Sequence, residues 1–434
     1  MDRTNVDRTK CPLISPVSGV DFPKAVVRPL ANGAILHELP FCEEEIVRVD
    51  CLFKAGSVHQ SHLLEASFAG QLLNEGTSRH SSAEVAEMLD SYGAMLNVSV
   101  SYENACVTLH SLKRHLEPML RLLSEIITDP LYGEKEFVTY LNKRKQQYLI
   151  QQEKVTTLAS RNMNAALYGP KSLYGTVAQL SDYDQLNVAW IRDFHRKRYV
   201  MRGCDIILSG KVDDAVRRVM EQTLGSIQTA DPAPLPDSIY EWNELNKTYC
   251  FHEKAESVQS AIYMGRKVMS AKDPRFHQFS VLNTLLGGYF GSRLMMNIRE
   301  EKGYTYGIGS YLLTQPQSGR FIISTQTATQ FVEPTLAEIE KELKKLRETP
   351  VSEDELNEVR SYMLGENARV VDGSFSFVDA YISFLALGVE GSEFYKESSR
   401  SILSVTSKDL MELANQYFDR SQFCVSVAGK KVEG

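Results

Sequence analysis

The sequence predicts an α+β fold in which one unit is used twice, and three observations lead there. A proline cluster divides the chain near its middle, where residues 231–236 read DPAPLP and hold three of the 15 prolines. Proline removes backbone donors and stiffens the chain, so this stretch reads as a linker. Strands and helices follow in the same order on either side of it, and the two halves close on similar segments. Antiparallel strands with helices gathered on one side fit such an order, because an apolar sheet face needs an apolar helix stripe to cover it.

The first half opens with a strand near 47–54. A helix over 63–74 follows, with Leu64, Phe68 and Leu72 four residues apart on one face, and Gly76 ends it. Ser81 and Glu84 form a capping box for a second helix carrying Val85, Met88, Leu89 and Tyr92. Gly93 stops that helix. Strands are expected over 94–101 and 105–111. A helix with Leu116, Leu120, Leu123 and Ile127 comes next, and then a long polar helix from 135 to about 154.

The second half repeats this order. A strand covers 260–265. Asp273-Pro274 starts a helix reaching 286, with proline at the first helical position, and Gly287-Gly288 breaks it. A helix over 292–301, strands over 304–313 and 320–327, and a helix over 334–346 follow. Ser352 and Glu355 open another helix. The ends correspond as well. FHRKRY at 194–199 precedes a strand ending LSGKV, and ANQYF at 414–418 precedes a strand ending VAGK. The expected division is an N-terminal extension (1–25), a first α+β domain (26–229), a linker (230–243) and a second α+β domain (244–434).

Composition bounds the function. At 434 residues, with 43% hydrophobic and 24% charged, the chain reads as folded and soluble. A net charge of −7 gives no basic excess for nucleic acid or anionic lipid. The N-terminal stretch lacks the apolar run of a signal peptide, and no 18-residue apolar stretch suggests a membrane span. Seven scattered cysteines without a CxxC pair suggest reduced thiols and a cytoplasmic location. The run Gly287-Gly288-Tyr289-Phe290-Gly291-Ser292 follows a helix and lacks the Lys-Ser/Thr of a phosphate loop. No Gly-x-Ser-x-Gly occurs, so a serine hydrolase has no support. The clusters Lys143-Arg144-Lys145 and Arg196-Lys197-Arg198 read as solvated helix faces.

The segment 286–310, LGGYFGSRLMMNIREEKGYTYGIGS, resembles a block of the pitrilysin/insulinase-type zinc metallopeptidases, the inverzincins. It holds the family's Gly-rich turn, helix and Arg–Tyr pair seven residues apart, here Arg299 and Tyr306. The first-half block is similar too: Ala55-Gly56-Ser57, a helix ending Glu75-Gly76-Thr77, and then Ser82-Ala83-Glu84, Glu87, Leu89 and Gly93. The resemblance runs from about 26 to 430. It implies a duplicated two-domain half of a peptidase clamshell.

One departure governs the function. Inverzincins carry His-x-x-Glu-His on the first helix, ending five residues before the Gly-Thr. Two histidines four apart bind zinc, and the glutamate activates water. Counting back from Gly76-Thr77, this chain has Ser67, Phe68, Ala69, Gly70 and Gln71. The family's third ligand is a glutamate some seventy-odd residues on, where this chain reads KRKQQ over 143–147. His59, His62 and Glu65 imitate a His-x-x-Glu start, but Ala66 stands where a second histidine belongs; they read as a polar loop entering the helix.

The resemblance thus implies a subunit that binds no zinc or other cofactor itself. Such a chain supplies Arg299 and Tyr306, as donors toward developing negative charge, to a partner of the same family that carries the zinc. The substrates implied are unfolded peptides; neither nucleic acid nor membrane is an expected partner. Three other readings stay open: a structural relative like the core subunits of the cytochrome bc1 complex, a homodimeric peptide-binding module without hydrolysis, and a peptidase of unrecognised mechanism.

Overall fold

In the computed structural model, the structure describes residues 9, 21–40, 44–228, 230–234, 249–373 and 375–431. The strands are β1 (Val26–Pro29), β2 (Ile35–Pro40), β3 (Ile46–Phe53), β4 (Met95–Val100), β5 (Ala105–Leu112) and β6 (Asp205–Gly210), then β7 (Tyr249–Glu253), β8 (Gln259–Val268), β9 (Thr305–Gln315), β10 (Ser318–Ala328) and β11 (Cys424–Gly429). They form two sheets, ordered β1-β2-β6-β3-β5-β4 and β7-β11-β8-β10-β9. Without β1, the first order is the second repeated, strand for strand. β2 and β6 run parallel, as do β7 and β11, while the other pairs are antiparallel. The duplication read from element order is therefore also a duplication of topology.

The helices of the first half are α1 (Glu65–Gln71), α2 (Ser82–Ser91), α3 (Leu116–Thr128), α4 (Glu134–Gln152), α5 (Val155–Tyr168), α6 (Leu180–Gln185), α7 (Val188–Arg198) and α8 (Asp214–Gln222). Those of the second are α9 (Phe276–Asn283), α10 (Val332–Glu348), α11 (Glu353–Asp372), α12 (Ser376–Leu387), α13 (Gly391–Ser404) and α14 (Ser407–Tyr417). The Ser81–Glu84 capping box on α2 forms in both directions. Ser352 caps α11 through the Glu355 N–H.

Several boundaries differ from the expected ones. α1 begins at Glu65 rather than 63, because Leu64 takes a left-handed φ of 77°. The Glu65 carboxylate accepts the Ser61 N–H at 2.8 Å, so the preceding residues form a turn instead of a first helical turn. Pro274 does not open a helix: Asp273 folds back on the Arg275 N–H at 2.8 Å, and α9 starts at Phe276. The helix does not break sharply at Gly287-Gly288. It widens into a π-turn over Thr284–Gly288, and the next helix is π-wound over Met295–Glu301. The expected linker lies mostly outside the described residues, which stop at 234 and resume at 249.

Each sheet packs one face on helices of its own half, around cores that include Phe68, Leu120 and Ile191 in the first half and Phe279, Ile339 and Leu413 in the second. The opposite faces are covered by exchange. α5 lays Leu158, Ala159, Met163 and Leu167 on the second sheet, against Ala261, Ile322 and Ala428. α12 and α13 return the favour with Phe377, Val378, Tyr381 and Tyr395 on Leu39, Leu52 and Ile207 of the first sheet, and Phe22 joins that cluster. Polar bonds fix both contacts: Arg320 to Asn164 at 2.5 Å, Arg48 to Asp379 at 2.6 Å, and Tyr381 to His37 at 2.8 Å.

Candidate functional site

The three positions where a zinc motif would sit lie on α1, and each is engaged in local packing. Ser67 donates its hydroxyl to the Leu64 carbonyl at 3.0 Å. Gln71 donates to the Val98 carbonyl of β4, the edge strand, at 3.0 Å. Gly70 is where helix and strand approach most closely. A Cβ there would overlap Val100 Cγ2 and would sit 3.3 Å from the Tyr199 hydroxyl and 3.5 Å from Val98 Cγ1. The Tyr199 hydroxyl is buried without a hydrogen-bond partner, and burial raises its pKa. A side chain at position 70 would therefore have to displace Val100 on the edge strand.

The α4 segment at 143–147 adds no ligand. Arg144 donates to Gln147 at 3.1 Å, and Lys145 pairs with Asp184 at 2.6 Å. His59, His62 and Glu65 do not converge either. His59 turns its Nε2 to the Glu103 carbonyl at 2.9 Å, and burial with the nearby Arg198 charge lowers its pKa to about 4. His62 lies flat on the Trp190 ring at 3.7 Å and meets Glu65 at 2.6 Å. Among the described residues no group of three or more His, Cys, Asp and Glu side chains is placed to hold a metal ion. A hydroxyl, an amide and a glycine do not make a zinc donor set, so zinc does not fit these positions.

The other basic cluster also differs from its sequence reading. Arg196 and Lys197 reach Asp193 on the helix surface. Arg198 is buried instead, and its fork holds the Ala233 and Pro234 carbonyls at 2.8 and 3.2 Å, tying the residues after the first half to the end of α7.

Arg299 and Tyr306, in contrast, are brought together at a surface. Arg299 comes from the π-wound helix after the Gly-rich turn, and Tyr306 from β9, the free edge of the second sheet. The Arg299 guanidinium carbon lies 5.2 Å from the Tyr306 ring centre. Tyr306 is 90% exposed, far beyond what a strand tyrosine packing in a sheet would show. Also near the guanidinium, 4.9 Å away, stands the ring of Phe290, a residue that the sequence motif does not mark. Its one sequence signal is an aromatic side chain set among glycines. Beside the pair runs an open groove of about 470 Å³ between the Gly287-Gly288 turn and β9, with Tyr289, Phe290 and Tyr311 along it. No hydrogen bond, ion pair or ring contact joins Arg299 or Tyr306 to α1 among the described residues.

Comparison with known proteins agrees with this picture of two related halves. The description "Insulinase (Peptidase family M16)" matches residues 43–179, and "Peptidase M16 inactive domain" matches residues 185–363. The "uncharacterized zinc protease YmxG" of Bacillus subtilis is 25% identical over 310 residues, covering 70% of this chain and 72% of its own. The "non-peptidase homolog YmxG" of Helicobacter pylori is 22% identical over 307 residues, 69% of each chain. Among solved structures, a peptidase M16 inactive domain from Pseudomonas fluorescens shares 22% identity with a TM-score of 0.82, covering 94% of this chain and 98% of its own. A protease from Helicobacter pylori shares 17% identity with a TM-score of 0.85, covering 94% and 100%. At these identities the structural likeness establishes the fold alone.

Proposed function

This chain belongs to the insulinase-type M16 peptidase family, and we propose that within the family it serves as a non-catalytic subunit of a two-chain zinc peptidase. The observation that carries the proposal is a contrast. The zinc-motif helix is packed against β4 at Gly70, whereas the half-buried Arg299 stands beside the exposed Tyr306. A relative named as a non-peptidase homolog supports a role without zinc in this chain.

In this reading a partner chain of the same family brings zinc, general base and substrate-binding edge strand. This chain brings two donors. A guanidinium and a phenol aimed at a peptide carbonyl stabilise the negative charge that grows on its oxygen, and removing one such donor costs on the order of ten- to a thousandfold in rate. The groove between the Gly-rich turn and β9 suits an extended peptide, which can add to a free strand edge by main-chain hydrogen bonds. The first-half edge is less open to such use, because Gln71 already occupies the Val98 carbonyl of β4.

The test is co-purification from the native host, followed by peptide assays on each chain alone and on the complex, with elemental analysis of each chain. The expected outcome is activity in the complex only, with zinc in the partner. Full activity of the partner by itself, or one zinc per molecule of this chain lost on mutating His59 or His62, would overturn the proposal.

A further inference from the structure

We propose that Phe290 is a positioning residue for Arg299, holding its guanidinium in a plane from which the unpaired N–H groups reach a peptide oxygen. The inference rests on the reading of Arg299 and Tyr306 just given. The guanidinium carbon sits 4.9 Å from the Phe290 ring centre and 5.2 Å from that of Tyr306, both within the reach of about 6 Å over which a ring face attracts a cation. Arg299 Nε pairs with Glu300 at 3.3 Å, and the two terminal nitrogens have no hydrogen-bond partner among the described residues. With two rings near the guanidinium and Glu300 at Nε, the terminal nitrogens are left to donate to an incoming group in the plane of the fork. That is the direction from which an arginine donates to a carbonyl or carboxylate.

Phe290 is 58% exposed, so its ring is free to meet a neighbouring cation. Its backbone is not left to wander. Tyr289 stacks on Tyr362 of α11 at 4.9 Å, and the Ser292 N–H closes a turn on the Tyr289 carbonyl at 3.2 Å. Gly291 makes this turn possible, since a Cβ there would lie 2.7 Å from the Tyr289 ring. Placement thus passes from α11 through Tyr289 to Phe290 and on to Arg299. Both helices flanking the turn are π-wound, a form often found where a side chain is aimed for function.

The two rings near Arg299 have different jobs. Tyr306 brings a hydroxyl that a substrate can meet, whereas Phe290 has no polar atom to offer and acts only through its ring face. This predicts which substitutions are tolerated. Leucine keeps apolar bulk and loses the negative ring face; tyrosine and tryptophan keep the face.

The experiment uses the complex co-purified from the native host, with Phe290→Leu, Phe290→Tyr and Arg299→Ala introduced in this chain. Phe290→Leu is expected to lower kcat about two- to fivefold, the size of one exposed cation–ring contact, with KM nearly unchanged. Phe290→Tyr should restore the wild-type rate, and in an Arg299→Ala background Phe290→Leu should have no further effect. A second reading needs no partner. The Nε–Hε resonance of Arg299 in the isolated chain should be shifted upfield by the two rings, partly relaxed by Phe290→Leu and kept by Phe290→Tyr. A wild-type rate and a resonance unchanged from that of the wild type in Phe290→Leu, while Arg299→Ala is still slow, would overturn the role of Phe290 and leave the proposed function standing. Wild-type turnover in Arg299→Ala would instead remove the reading on which it rests.

Discussion

Gly70 carries the clearest message at the scale of single residues. A side chain there meets Val100 and Tyr199 at once, so Gly70→Ala is expected to cost about 1–3 kcal/mol, the range for overpacking a core, as read from urea unfolding. The repair variant Ser67→His, Gly70→Glu, Gln71→His should therefore gain no stoichiometric zinc and lose stability; a tightly bound metal in that variant, measured by elemental analysis, would show that β4 yields more readily than its packing implies. Tyr306→Phe and Arg299→Ala are expected to leave the fold intact, since Tyr306 is exposed and the half-buried Arg299 pairs with the exposed Glu300 beside it, and each should lower turnover of the two-chain enzyme on the order of ten- to a thousandfold. Two histidines set a pH dependence. Burial holds His195, bonded to the Ile127 carbonyl at 2.9 Å, down to about 4, and His59 likewise, against 6.5 in an open chain. Between 6.5 and about 4 the unfolded chain takes up protons that the folded chain refuses, so stability falls as pH falls through that window. Unfolding midpoints at pH 7 and pH 5 should show the loss, and His195→Gln should shrink it.

At the scale of elements, the exchange of helices between halves decides what is fragile. Arg48 on β3 is buried, bonding Asp50 at 2.8 and 3.0 Å and Asp379 of α12 at 2.6 Å. Asp50 is fully buried, while the Asp379 side chain is 69% exposed. Arg48→Ala strands the Asp50 carboxylate and is expected to cost about 3–5 kcal/mol, whereas Asp379→Ala frees an exposed partner and should cost about 1 kcal/mol or less. Equal costs in denaturant unfolding would mean that the pair acts as one unit rather than as a buried charge with a surface latch. The same exchange explains a limit of sequence reading at this scale. α2 announces itself by its capping box, and α3 and α10 by their apolar period, because each buries a single stripe. α5 carries apolar residues toward a sheet whose first strand starts only at Tyr249, and nothing in its own pattern says which sheet it will cover.

For the molecule as a whole, two sheets of repeated order are joined by helices that each cross to the other half. Neither sheet keeps both faces covered without the other half present. Fluorescence and far-UV circular dichroism are therefore expected to report a single coincident unfolding transition in urea. Two separated transitions would show that the crossing helices add little to stability. The arrangement also keeps β9, with Tyr306 and the adjoining groove, at an outer edge, where a second chain or a peptide can reach it.

The sequence by itself determined the repeat and most of the strands and capped helices, local matters of period, caps and glycine placement written in neighbouring positions. Ser67, Gly70 and Gln71 as the zinc-motif positions, and Arg299 with Tyr306 as a pair, were legible only through the resemblance of their surrounding blocks to a known family. The tertiary structure decided the rest. It showed that a side chain at Gly70 would meet Val100 and Tyr199, that Gln71 reaches the Val98 carbonyl, that Arg198 is buried under the residues following the first half, and that the Phe290 ring stands 4.9 Å from the Arg299 guanidinium. Each of these depends on which strand or loop lies beside which helix, a matter of long-range packing that sequence period does not encode. A vacant helix position and a filled one read alike until the neighbouring strand is in place.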